Sequence, residues 1–255
     1  MIERQIDIET VDGRMETFIC RPERDGPHPV VIFYMDAWGI REELRDMVRR
    51  YATAGYYLML PNLYYRSGIF EPGPLPHWDG SGEPPFHPVN AANAALTIEA
   101  VMNDTEALLR FIDGDPAAAA GPLGVVGYCM SGRFAINAAA RFADRVAAAS
   151  SMYGTQLVTD REDSPHRVAL HAKGELYFGS AEKDHWAPPA MIEALDQSLA
   201  KGSVSYEIEI YPEADHAFGF PERPTYHKPS AERHWERMFA LFDRRLRARD
   251  TTERP

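Results

Sequence analysis

From Val30 to Tyr211 the chain alternates short apolar runs with longer amphipathic segments. That alternation narrows the possible folds more than any other feature. Val30 to Met35 is a continuous apolar run, as expected of a strand buried on both faces. Leu44, Met47, Val48 and Tyr51 then recur at helical spacing, in a helix predicted to end near Gly55. Further strands are predicted at Tyr56 to Leu60, Leu123 to Gly127, Val146 to Ser151, Arg167 to Phe178 and Val204 to Tyr211. Helices are predicted around Ala94 to Ile112, from Ser131, from Pro189 to Ala200, and in a last segment carrying Trp235, Met238, Phe239, Phe242 and Leu246. Strands alternating with helices of this length imply an α/β fold with a mostly parallel central sheet and helices on both faces. Before it, Ile2 to Glu9 and Arg14 to Arg21 read as an antiparallel hairpin turning at Val11-Asp12-Gly13.

One stretch breaks the rhythm. Pro61 to Pro88 contains seven prolines and four glycines, with Tyr64, Tyr65, Phe70, Trp78 and Phe86 among them. A flexible linker is poor in aromatics, so the segment 61–90 reads as an excursion of a single domain, 1–247, rather than as a boundary. The tail 248–255 is expected to fray. Net charge is −11, from 27 basic and 38 acidic residues, with no long basic run, which argues against nucleic acid or an anionic membrane as partner. No segment approaches the length of a membrane helix, and the N-terminus lacks the apolar core of a signal peptide. Two widely spaced cysteines, Cys20 and Cys129, fit a reducing, cytoplasmic setting better than a disulfide framework.

Gly127-Tyr-Cys-Met-Ser-Gly-Arg133 joins a predicted strand to a predicted helix, with Cys129 on the turn. This is the context of a nucleophile elbow, where small neighbours let the backbone close and the helix N-terminus favours a thiolate. The turn alone fits a buried structural cysteine equally well, because free cysteine is among the most buried residue types. Partners decide. A cysteine nucleophile needs a base, and the base an orienting acid, each after a later strand. Asp184 follows the strand ending near Phe178, and His216 follows the strand ending at Tyr211. Ser131 is expected to cap the elbow helix. No His-Glu-x-x-His, paired Cys-x-x-Cys or glycine-rich nucleotide motif occurs, so neither a metal nor a cofactor is expected.

With these residues in order, the chain resembles the dienelactone hydrolase family of α/β-hydrolases nearly end to end. The matching pieces are Val-Val-Ile-Phe-Tyr-Met-Asp-Ala-Trp-Gly, Pro-Asn-Leu-Tyr-Tyr-Arg, Gly-Tyr-Cys-Met-Ser-Gly-Arg, Glu-Lys-Asp-His-Trp-Ala-Pro-Pro and Tyr-Pro-Glu-Ala-Asp-His-Ala-Phe. The resemblance implies cofactor-independent hydrolysis of an ester or lactone through a triad of Cys129, His216 and Asp184. It implies an oxyanion hole from the N–H groups of Met130 and Ala37. Asp36 stands where the family carries a thiol-activating glutamate; it either does that job or caps the turn before Trp38. The family's substrate-carboxylate arginines have no match by position: the segment from Gly80 to Ala95 has none, and Arg66 and Arg223, the candidates to substitute for them, do not align. The expected pocket is therefore more apolar than the family's, lined by some of Trp38, Tyr64, Trp78, Tyr153, Trp186 and Phe218. The expected partner is a small-molecule ester or lactone, and the chain is compatible with a monomer or homodimer. A thiol-dependent acyl transferase or a non-catalytic ligand-binding member of the fold are the alternatives.

Overall fold

The computed structural model describes residues 1–71, 73 and 87–247. Strands β1 (Ile2–Thr10) and β2 (Gly13–Arg21) form the hairpin, and β2 pairs antiparallel with β4 (Tyr57–Pro61). From there the sheet is parallel through β3 (Val30–Tyr34), β5 (Leu123–Tyr128), β6 (Val146–Met152), β7 (Glu175–Lys183) and β8 (Tyr206–Asp215). The eight-stranded order is β1-β2-β4-β3-β5-β6-β7-β8. This is the α/β-hydrolase fold with an N-terminal antiparallel hairpin, as the pattern predicts. The helices are α1 (Glu42–Thr53), α2 (Pro88–Ala95), α3 (Ile98–Gly114), α4 (Gly132–Arg141), α5 (Pro165–Val168), α6 (Pro189–Leu199) and α7 (Lys228–Leu246). Among the described residues no helix is long and apolar enough to cross a membrane.

Two predicted elements differ from those observed. The single helix expected over Ala94 to Ile112 is two, because Leu96 is extended and the Thr97 hydroxyl accepts from the Ala100 amide at 3.1 Å, starting α3 afresh. The strand expected from Arg167 begins only at Glu175. Pro165, at the first helical position, starts a helical turn instead, which continues as a 3-10 turn through His171. Trp78 and the tail 248–255 lie outside the described residues, as do residues 72 and 74–86 of the proline-rich excursion.

Register places the site. Both central strands, β3 and β5, are buried along their whole length, and Tyr34 pairs with Gly127. The turns that follow them therefore emerge side by side at the carboxyl edge of the sheet. Further along the same edge, Lys183 pairs with Asp215, so the residues that follow, Asp184 and His216, emerge together. A crevice outside the carboxyl ends of parallel strands is where ligands bind in open α/β sheets.

Candidate active site

At the end of β5, Cys129 adopts φ +54°, in the left-handed region that costs a non-glycine residue about 1–3 kcal/mol. Its neighbours make the turn sterically feasible. A Cβ on Gly127 would sit 2.1 Å from the Ser131 carbonyl oxygen, and one on Gly132 would sit 2.2 Å from Ser151 Oγ. Neither position accepts a side chain without moving backbone. Ser131 does not cap α4 as expected: its backbone is already helical, and its hydroxyl donates to the Met35 carbonyl at 2.5 Å. That bond ties the elbow to the end of β3.

The Asp184 carboxylate is held from both sides. Its Oδ1 accepts from the Trp186 and Ala187 amides at 2.9 and 3.1 Å, and its Oδ2 accepts from His216 Nδ1 at 2.7 Å. With Nδ1 used as donor, Nε2 is the nitrogen left to face a nucleophile. Burial opposes charge on His216, but the Cys129 sulfur and the Asp184 carboxylate outweigh it, raising the imidazole pKa from 6.5 to about 10. The Tyr153 ring packs edge-on to this imidazole, 5.3 Å between centroids, and fixes its plane. Cys129 and His216 line one cavity of about 90 Å³.

The turn after β3 forms the opposite wall. Tyr64 donates from its hydroxyl to the Ala37 carbonyl at 2.7 Å and touches Met130 Sδ at 3.5 Å, so one side chain links both residues expected to supply the oxyanion hole. Asp36 is buried. Its Oδ1 accepts from the Trp38 amide at 3.0 Å, an Asx turn, and Arg41 grips both carboxylate oxygens at 2.8 and 3.0 Å. The same guanidinium binds Glu43, whose other oxygen accepts from the Glu222 amide at 2.8 Å. A buried ionic network thus joins the turn after β3 to the loop beyond His216.

Of the aromatics expected to line the pocket, Trp38 and Trp186 do so. Tyr64, Tyr153 and Phe218 are fully buried behind it, where they support Ala37, His216 and Tyr211 respectively. Arg223 also lines the cavity, with Lys183, His185 and Asp215. Successive tight turns, Phe218 amide to Asp215 carbonyl, Phe220 to Ala217 and Arg223 to Phe220, fold the chain back and return Arg223 to the site. Its guanidinium lies 5.1 Å over the Trp38 ring, its Nη2 is buried without a hydrogen-bond partner, and burial lowers its pKa. Arg223 lies seven positions after His216, and no local pattern announces that return. Among the described residues no group of three or more His, Cys, Asp or Glu side chains is placed to hold a metal ion.

This sheet, with a cysteine on a strained turn and a His–Asp pair beyond it, defines an α/β-hydrolase. Residues 15–246 match the model of the dienelactone hydrolase family. The chain belongs to that family and is a hydrolase acting on ester or lactone bonds. It is 28% identical over 247 residues to the "Putative carboxymethylenebutenolidase" of Methylorubrum extorquens, covering 95% of this chain and 81% of that protein. It is 26% identical over 234 residues to the "Probable 2-oxo-3-(5-oxofuran-2-ylidene)propanoate lactonase" of a Bradyrhizobium species, covering 90% and 89%. The crystal structure of a "Putative Dienelactone Hydrolase" from Klebsiella pneumoniae superposes with a TM-score of 0.83 at 28% identity, covering 94% of this chain and 98% of that one.

Proposed function

We propose that the chain cleaves its ester or lactone through a Cys129 acyl-enzyme. The observation that carries this reading is the 2.7 Å hydrogen bond between Asp184 and His216 Nδ1, in a cavity that His216 shares with a cysteine on a strained elbow. His216 Nε2 takes the thiol proton, and the sulfur attacks the carbonyl carbon, pushing the π pair onto oxygen. The Met130 and Ala37 amides hold that oxyanion. Collapse expels the alkoxide, which takes its proton from His216. Water, deprotonated by the same imidazole, then cleaves the thioester and releases the acid. In this reading Asp36, gripped by Arg41, anchors the oxyanion turn rather than serving as a mobile base.

Alkylation tests the reading directly. Iodoacetamide at neutral pH is expected to modify Cys129 at least about a hundredfold faster than Cys20. Cys20 is fully buried in β2, and burial with nearby Glu3 pushes its thiol up to about 11. Equal rates, or preferential modification of Cys20, would rule out an activated Cys129.

The substrate is proposed to carry a carboxylate near the scissile bond. Arg223 is a guanidinium with an unpartnered buried nitrogen in the same cavity as Cys129, and the Bradyrhizobium relative is named for a propanoate lactone. A hydrogen bond to a charged group is worth about 1.5–3 kcal/mol, so Arg223→Gln should raise KM for a carboxylate-bearing ester about ten- to hundredfold relative to its neutral analogue. A KM ratio unmoved by the substitution would remove Arg223 from substrate recognition.

A further inference from the structure

Beside the catalytic cavity lies a larger cleft, about 470 Å³, that the proposed hydrolysis does not use. Its polar lining is Asn90 and Asn93 of α2, Thr97 before α3, Arg133 of α4, and Gln156, Thr159 and Arg161 of the loop after β6. Among the described residues no carboxylate lines it, although the chain as a whole carries a net charge of −11. A wall of guanidinium, amide and hydroxyl groups in an acidic protein is a local inversion of charge.

Arg133 is the lining cation that no carboxylate pairs with. Most arginines of the described residues pair with a carboxylate, as Arg161 does bidentately with Asp163 at 2.7 and 2.8 Å. Arg133 has no such partner. Its Nη1 donates to the Gln156 side-chain oxygen, its guanidinium lies 4.7 Å over Phe134, and its Nε is buried without a hydrogen bond. Burial lowers its pKa, outweighing the opposing pull of Cys129 and Asp163. Gln156 itself is held at φ +55°, a strained conformation for a residue with a side chain. The cleft therefore keeps in place a guanidinium that no carboxylate pairs with directly, beside a partner in a strained backbone conformation.

Two links join the cleft to the reacting centre. The Thr155 amide donates to the Cys129 carbonyl at 3.1 Å, so the loop bearing Gln156 is pinned to the elbow itself. On the other side, His87 at the start of α2 packs on Trp38 of the catalytic cavity at 6.0 Å, three residues before Asn90.

We propose that this cleft is an oxyanion-binding subsite adjoining Cys129, with Arg133 as its fork, that takes the carboxylate or phosphate at the end of the ligand remote from the scissile bond. A planar guanidinium presents paired donors that match either group, and the surrounding amides and hydroxyls supply neutral donors. The proposal rests on the hydrolase reading only in making its ligand part of the substrate.

The test is calorimetric titration of the full chain carrying Cys129→Ala, which cannot turn substrate over, with inorganic phosphate and with succinate. At least one anion is expected to bind, and Arg133→Gln in the same background should weaken it about tenfold or more. Tighter phosphate assigns a phosphoryl group, and tighter succinate a carboxylate. If Arg133→Gln fails to fold, Asn93→Asp is the second variant; it adds a carboxylate to the cleft from α2 and should abolish binding. Neither anion binding, binding indifferent to both substitutions, or binding lost through Arg223→Gln in place of Arg133→Gln would overturn the assignment. Because binding is read without turnover, an inactive wild-type chain that binds anions sinks the acyl-enzyme mechanism alone. An active chain that binds neither sinks this subsite alone.

Discussion

Replacing Cys129 by alanine should reduce hydrolysis of short p-nitrophenyl esters by about 10⁴-fold or more, the scale expected when an attacking atom is removed. The fold should survive. Cys129 is half-buried, so the lost sulfur leaves little cavity, and the strain at φ +54° is the same for alanine as for cysteine. Far-UV circular dichroism and a melting temperature within a few degrees of wild type would establish that. Cys129→Ser is the sharper comparison. A hydroxyl is far less acidic than a thiol, so a site in which burial and a paired imidazole are arranged around sulfur should make a poor serine esterase, with roughly one per cent of native turnover or less. Native-like turnover by the alanine variant would end the acyl-enzyme mechanism. Loss of turnover with loss of fold would be resolved by the serine variant, which differs from cysteine by a single atom.

The sheet was legible because it depends on local pattern. Buried strands such as Val30–Tyr34 and Leu123–Tyr128 are continuous apolar runs, and amphipathic α1 repeats its apolar residues every three to four positions. The order elbow, Asp184, His216 was legible for the same reason, since each residue directly follows a strand. Residues 167–174 misled because Val168, Leu170 and Ala172 alternate like a strand, while Pro165 upstream starts a helical turn. Long-range partners were not legible. Ser131 looks like a helix cap, yet its hydroxyl bonds Met35, 96 residues away in sequence. Asp36 looks like a turn residue or a base, and only the folded chain shows Arg41 gripping both its oxygens. His234, buried in α7 against Tyr128 at 2.8 Å, is pushed by burial down to about 3 and stays neutral at physiological pH. Arg223 enters the cavity through three successive turns whose net direction no spacing rule encodes.

Asp184→Asn should lower kcat by about 10³–10⁴-fold through the tautomer it imposes on His216. The Asp184 Oδ1 accepts two backbone N–H groups, from Trp186 and Ala187. An asparagine keeps those bonds only by placing its oxygen there, which turns its NH₂ toward His216 Nδ1. Two donors cannot face each other, so Nδ1 becomes the acceptor and Nε2 carries the proton. The imidazole then has no lone pair with which to take the thiol proton. The same change has a signed effect on stability. In the folded chain His216 is raised from 6.5 to about 10, because the Cys129 sulfur and the Asp184 carboxylate outweigh burial. A group raised on folding contributes stability that is fully present below about pH 6.5 and is lost as pH climbs to about 10. Removing the carboxylate lowers the folded value, so wild type should exceed Asp184→Asn in denaturant resistance most at pH 6, with the gap narrowing by pH 10. Urea unfolding at the two pH values measures this, and ¹⁵N-histidine spectra read the tautomer independently. A gap that widens with pH, or an asparagine variant with native kcat, would show that Asp184 does not govern the His216 proton.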